Sequence, residues 1–183
     1  MLLACAALLS GPAYADIQVA APSGADKFCI LSPSFCDERT IASAPLSDMS
    51  ALRRINATVN VSILPEALDT ALERRSETRD WRVVLPDMVG ACVEYATTKE
   101  WLLAWEGVPE GAMRLAQVHN PRDPDPTMMH MVLLVRINGG VVVLDNLTPV
   151  IWPADSTEYD WLAVQDLSDV NPRQWVKPVG APQ

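Results

Sequence analysis

The sequence predicts a single domain of α+β type, with helices in its first half and an antiparallel hairpin in its second. Three observations lead there. The chain has 183 residues and 49% hydrophobic content, enough for one real core and too short to favour two. The stretch from Cys92 to Glu106 contains no Gly or Pro and many good helix formers. Asn138-Gly139 stands between two apolar runs, HMVLLVRI and GVVVLD, which is the strongest short hairpin signal a sequence offers.

The first fifteen residues, MLLACAALLSGPAYA, carry no charge, hold an apolar run from Leu2 to Leu9 and finish in Ala13-Tyr14-Ala15. That is the h-region and small-residue cleavage site of a secretory signal. Residues 1–15 are therefore expected to be a signal peptide, and 16–183 a single mature domain that is periplasmic or secreted. The apolar run is far below the ~20 residues that cross a bilayer, and no other stretch is long enough to be transmembrane.

Residues 16 to 45, rich in Ala, Ser and Pro, read as an N-terminal extension that needs little core. From Ser47, Leu52, Ile55, Val59 and Ile63 recur at helical spacing, with Ser47 as the expected N-cap and Pro65 as the stop. The charged segment from Glu66 to Arg79 fits a second helix or a loop, and DWRVVLP reads as a short extended approach. Asp87 to Ala91 is turn-like. The helix that follows starts at Cys92 and stops at Gly107 and Pro109, with Cys92, Tyr95, Ala96, Leu102 and Leu103 on one side and Lys99 interrupting them. Arg114 to Val118 reads as a strand, and NPRDPDPT, from Asn120 to Thr127, as a loop.

The hairpin allows a register to be counted. With Asn138 and Gly139 as the two turn residues, Ile137 faces Gly140 and Val132 falls opposite Asp145. His130 is then the diagonal neighbour on Asp145's face, about 7 to 8 Å away along the backbone, within reach of a hydrogen bond between two side chains. His119, beside the Asn-Pro loop with no acid on an expected partner strand, reads as a surface residue.

A formal net charge of -9 argues against nucleic acid as a partner, which calls for clustered Lys and Arg. Removing the signal leaves Cys29, Cys36 and Cys92. The close pair in FCILSPSFC can close a small disulfide loop in an oxidising compartment, and Cys92 is left over. A leftover thiol is either reactive or a buried small hydrophobe. Its place at a helix N-terminus favours thiolate, because unpaired amides and the positive end of the dipole face it. A Cys at a helix start, a His at a strand start and an acid on the paired strand form the pattern of a Cys-His-Asp nucleophilic site. Zinc finds no paired ligand spacing among three scattered Cys and two His. The N-x-S/T triplets at Asn56, Asn60 and Asn146 read as chance, since the first two lie on the first helix.

The ordered set of segments resembles the bacterial transglutaminase-like cysteine peptidases, whose best-understood members are periplasmic proteases that release surface adhesins. FCILSPSFC resembles the family's early Cys pair, RRINATVNVSI its first helix, GACVEYATTKEWLLAWEGVP its nucleophile motif, HMVLLVR its histidine strand and VVLDNLTPVIWP its acid strand. The resemblance runs from about Lys27 to Val176. It implies an α+β papain/transglutaminase-like fold, a nucleophile helix packed on an antiparallel sheet, with Cys92 as nucleophile, His130 as general base and Asp145 as orienting acid. It implies hydrolysis of a protein amide through a thioester, with a cell-surface protein as substrate.

The chain departs from the family beside the nucleophile. Adhesin-processing members carry acids there that bind calcium; here Ala91 and Val93 replace two of them and only Glu94 is acidic. One carboxylate is a poor basis for a hard cation that takes six to eight oxygen ligands. Two other readings follow: a catalytically weak or inactive relative kept as a periplasmic binding or regulatory module, and an acyl transferase of the transglutaminase type.

Overall fold

The structure, a computed structural model, describes residues 16–37, 46–66, 81–166 and 171–182. The expected signal peptide and almost all of the charged segment after Glu66 lie outside these residues. Helix α1 spans Ala25–Leu31, α2 Ser50–Ser62 and α3 Cys92–Trp105. The strands are β1 (Ile17–Val19), β2 (Leu64–Pro65), β3 (Val89–Gly90), β4 (Met113–His119), β5 (Met129–Ile137), β6 (Gly140–Leu144), β7 (Trp152–Pro153), β8 (Asp160–Gln165) and β9 (Trp175–Lys177). Seven form one sheet in the order β1-β9-β8-β4-β5-β6-β7, every neighbouring pair antiparallel.

The hairpin has the counted register: Ile137 pairs with Gly140, and the ladder continues to Leu133 opposite Leu144. Gly139 takes the turn's positive φ of 94°, which a side chain would resist. Alternation along β5 then divides the core. Leu133 and Val135 join Leu115, Val142 and Leu144 in the main cluster with residues of α2 and α3, while Val132 and Leu134 join Val118, Val143 and Trp161 in a second one.

Of the four periodic residues, Leu52, Ile55 and Val59 are buried on α2, and Ile63, the extended residue that caps its C-terminus, is buried as well. The helix begins three residues after the expected cap. Ser47 plays no part; the Asp48 carboxylate accepts from the Ser50 amide at 2.8 Å, so the acid and not the serine meets the unpaired N-terminal donors. The N-terminal extension also differs from expectation, because it is part of the core. β1 pairs with β9, and Ala25, Phe28, Cys29 and Cys36 are buried, with the Phe28 ring 6.0 Å from that of Trp81. Cys29 and Cys36 are joined by a disulfide.

The approach to α3 is more ordered than a turn. Val89-Gly90 pairs in parallel with Leu64-Pro65. A Cβ on Gly90 would stand 3.0 Å from both Glu94 Cβ and Ile63 Cγ2, so glycine lets this strand pass between the end of α2 and the start of α3. Among the described residues, no helix is long and apolar enough to cross a membrane.

Candidate active site

Cys92 is the first residue of α3 and is partly buried. Several contacts fix that helix start. Glu94 turns back so that its Oε2 accepts from the Ala91 amide at 2.8 Å, half of a capping box. The Tyr95 hydroxyl donates to the Ile63 carbonyl at 2.7 Å, tying α3 to the end of α2. Thr97 donates to the Arg82 carbonyl at 2.7 Å, and Thr98 accepts from the Val84 amide at 3.0 Å, holding the incoming chain along the helix. The expected one-sided stripe is not what positions α3: Val93 through Glu100 are all buried, Lys99 included at 0% exposure, because the helix is packed on every side in its first two turns.

His130 lies at the second position of β5, and Asp145 follows the last residue of β6. Their side chains meet, His130 Nε2 standing 2.8 Å from Asp145 Oδ1. The imidazole is 12% exposed and the carboxylate 3%. His130 is also in hydrogen-bonding contact with the Cys92 thiol. The structure thus brings together the three residues that the sequence reading singled out.

Burial alone would lower the His130 pKa, but the hydrogen bond to Asp145, the contact with Cys92 and both charges outweigh it, and the pKa rises to about 10. Asp145 moves the other way. Burial opposes its charge, yet the His130 pairing and the donors from Leu147 and Tyr159 hold its pKa below the usual carboxylate range.

Asp145 is held by more than His130. The Leu147 amide donates to Oδ1 at 2.9 Å, and the Tyr159 hydroxyl donates to Oδ2. On α2, Asn60 donates to the Asp145 carbonyl at 2.8 Å and to that of Thr148 at 3.1 Å, while Asn56 donates to the Pro149 carbonyl at 3.2 Å. Two of the three asparagines read from sequence as chance glycosylation triplets, Asn56 and Asn60, are therefore clamps on the loop after Asp145. Their signal was available: they are four apart, so they share one helix face.

His119 is a correction. Its Nδ1 lies 3.2 Å from Asp160 Oδ2, its side chain is 18% exposed, and β4 and β8 pair the two residues directly. The partner strand comes some forty residues later in the chain, so local sequence could not show it.

The family model for bacterial transglutaminase-like cysteine proteinases matches residues 16–181. The chain belongs to that family. In this bacterial transglutaminase-like cysteine proteinase the α+β fold is the transglutaminase-like one, as solved neighbours also indicate. Legionella pneumophila LapG is similar over 76% of this chain and 72% of its own, at 18% identity and a TM-score of 0.51. Two further structures of that protein, one EGTA-treated and one calcium-bound, give TM-scores of 0.52 and 0.50 at 18% identity. They cover 75% and 77% of this chain, and 69% and 83% of their own. Among curated proteins, none matches the chain in sequence.

Proposed function

We propose that the protein is an active cysteine peptidase that hydrolyses a protein amide bond, with Cys92 as nucleophile, His130 as acid and base, and Asp145 as orienter. The observation that carries this reading is the placement of His130, its Nε2 2.8 Å from the buried Asp145 carboxylate and its ring in contact with Cys92. An imidazolium beside the sulfur supplies the proton that the leaving amine needs.

With Nε2 donated to Asp145, Nδ1 is the nitrogen left for Cys92. The sulfur attacks the amide carbonyl and forms a C–S bond, and the negative charge moves to the carbonyl oxygen. The Cys92 backbone N–H, at the first position of α3 and so without an intrahelical acceptor, is placed to receive that charge. As the intermediate collapses, the C–N bond breaks and His130 gives its proton to the leaving amine. The now neutral imidazole takes a proton from water, which attacks the thioester and frees the acid and the thiolate.

Calcium is bound in one of the LapG structures. The residues around Cys92 here do not fit that ion. Ala91 and Val93 carry no oxygen on their side chains, and Glu94 is 2% exposed with its carboxylate turned to the helix N-terminus. Among the described residues no group of three or more His, Cys, Asp or Glu could hold a metal. The steps above use protein groups alone.

The family's description as proteinases supports an enzyme acting on a protein, and the Cys29–Cys36 disulfide agrees with an oxidising compartment such as the periplasm. The test is iodoacetamide labelling of Cys92 against pH, set beside cleavage of surface proteins from the source cell. Rapid labelling at pH 6 that is lost in His130→Ala, with cleavage abolished in Cys92→Ala, supports the reading. Slow labelling at pH 6 that is indifferent to His130 overturns it and returns the chain to a binding module.

A further inference from the structure

Asp145 borders a cleft of about 460 Å³ on the side of Trp152, Leu147, Arg122, Glu158 and Tyr159. A carboxylate next to such a space would take water on any oxygen the protein leaves open, and it could then rotate about its Cβ–Cγ bond. Oδ1 is committed to His130 and to the Leu147 amide. The partner of Oδ2 is the phenol of Tyr159.

We infer that Tyr159 is a positioning residue for this site, its hydroxyl closing Asp145 Oδ2 against the cleft and keeping the carboxylate aimed at His130. The inference rests on the peptidase reading for its functional meaning, though the geometry stands without it. Tyr159 sits one residue before β8, where its ring meets Trp161 edge-on at 6.3 Å and 82° and lies 6.1 Å from the His130 ring. It therefore touches both members of the pair and is itself braced by the sheet's second cluster. Burial, then the hydrogen bond to Asp145 and that residue's charge, push its ionisation well above the ordinary tyrosine range, so the group remains a donor wherever the site works. Phenylalanine would keep the packing on Trp161 and remove only the donor.

The experiment compares full mature wild type, Tyr159→Phe, Asp145→Asn and the double variant. It reads the low-field proton of His130 Nε2–H by NMR, Cys92 alkylation at pH 6 and melting temperature. In Tyr159→Phe the low-field proton is expected to exchange away or move upfield. Alkylation should fall about ten- to hundredfold, the worth of one hydrogen bond to a charged group, with melting little changed. In the Asp145→Asn background the same substitution should add nothing, because Tyr159 acts through that carboxylate. A purely structural role would add in both backgrounds and move the melting temperature instead. An unchanged proton and unchanged alkylation in Tyr159→Phe overturn the inference. Neither readout needs a substrate, so a wild type that shows the Tyr159 dependence yet cleaves no protein defeats the peptidase reading alone.

Discussion

Asn60 on α2 donates its side-chain amide to the backbone carbonyl of Asp145, across 85 residues of chain. The same amide holds the Thr148 carbonyl, so one side chain fixes the loop that leaves the active-site acid. Asn60→Ala removes both bonds and should cost about 1 to 3 kcal/mol of stability. Asn60→Asp should be worse, since a carboxylate faces two carbonyl oxygens and a negative residue. Chemical denaturation of the two variants, with Cys92 labelling at pH 6, reads both effects. An Asp variant as stable as Ala would show that the amide does not face those carbonyls.

Much of the site's skeleton was legible because its signals are local. Asn138-Gly139 set the register that places His130 and Asp145 on one face, and the run free of Gly and Pro set α3 behind Cys92. The unread parts depend on contacts between distant segments. β4 pairs with β8, not only with its sequence neighbour, and this gives His119 its acid. Val89-Gly90 pairs with residues that lie beyond an intervening segment of more than twenty. α3 shows no single apolar stripe because it is packed on all sides, so periodicity could place its start but not what surrounds it. Phe28 looked like part of a tail until Trp81 and the last strand closed over it.

The disulfide closes a loop of sequence separation 7 at the edge of the main cluster. Loop-closure entropy for a ring this small is about 2 to 3 kcal/mol. Reduction, or replacement of Cys29 and Cys36 together by Ala, should lower the melting temperature by several degrees while leaving Cys92 labelling at 25 °C nearly unchanged. Loss of labelling in a folded variant would mean that the loop reaches the site.

Chelation should be silent. With Ala91 and Val93 beside the nucleophile and Glu94 turned inward, EGTA and added millimolar calcium are expected to leave both the melting temperature and Cys92 labelling where they were. A melting temperature that rises with calcium would place a site on donors away from the helix start.

Two buried groups give stability opposite dependences on pH. His130 has a folded pKa of about 10, above its unfolded value of about 6.5. Its contribution is complete below about 6.5 and is lost as pH climbs toward about 10. The melting advantage of wild type over His130→Gln should therefore shrink between pH 6.5 and 10. An advantage that grows over that interval would mean that His130 is neutral in the fold.

Lys99 works in the other direction. Its side chain is fully buried on α3, and its ammonium nitrogen has no hydrogen-bond partner among the described residues. Burial lowers its pKa to about 7 from 10.5, and attraction to Asp145 offsets only part of that. Because the folded value lies below the unfolded one, the lysine destabilises the fold fully below about pH 7, and the penalty fades as pH rises toward about 10.5. Methionine fills a similar volume without a charge to desolvate. Lys99→Met should raise the melting temperature by several degrees at pH 6 and by much less at pH 10. A lower melting temperature at pH 6 would mean that the pull on Asp145 outweighs desolvation, and that the fold keeps the ammonium as a countercharge beneath the His130–Asp145 pair.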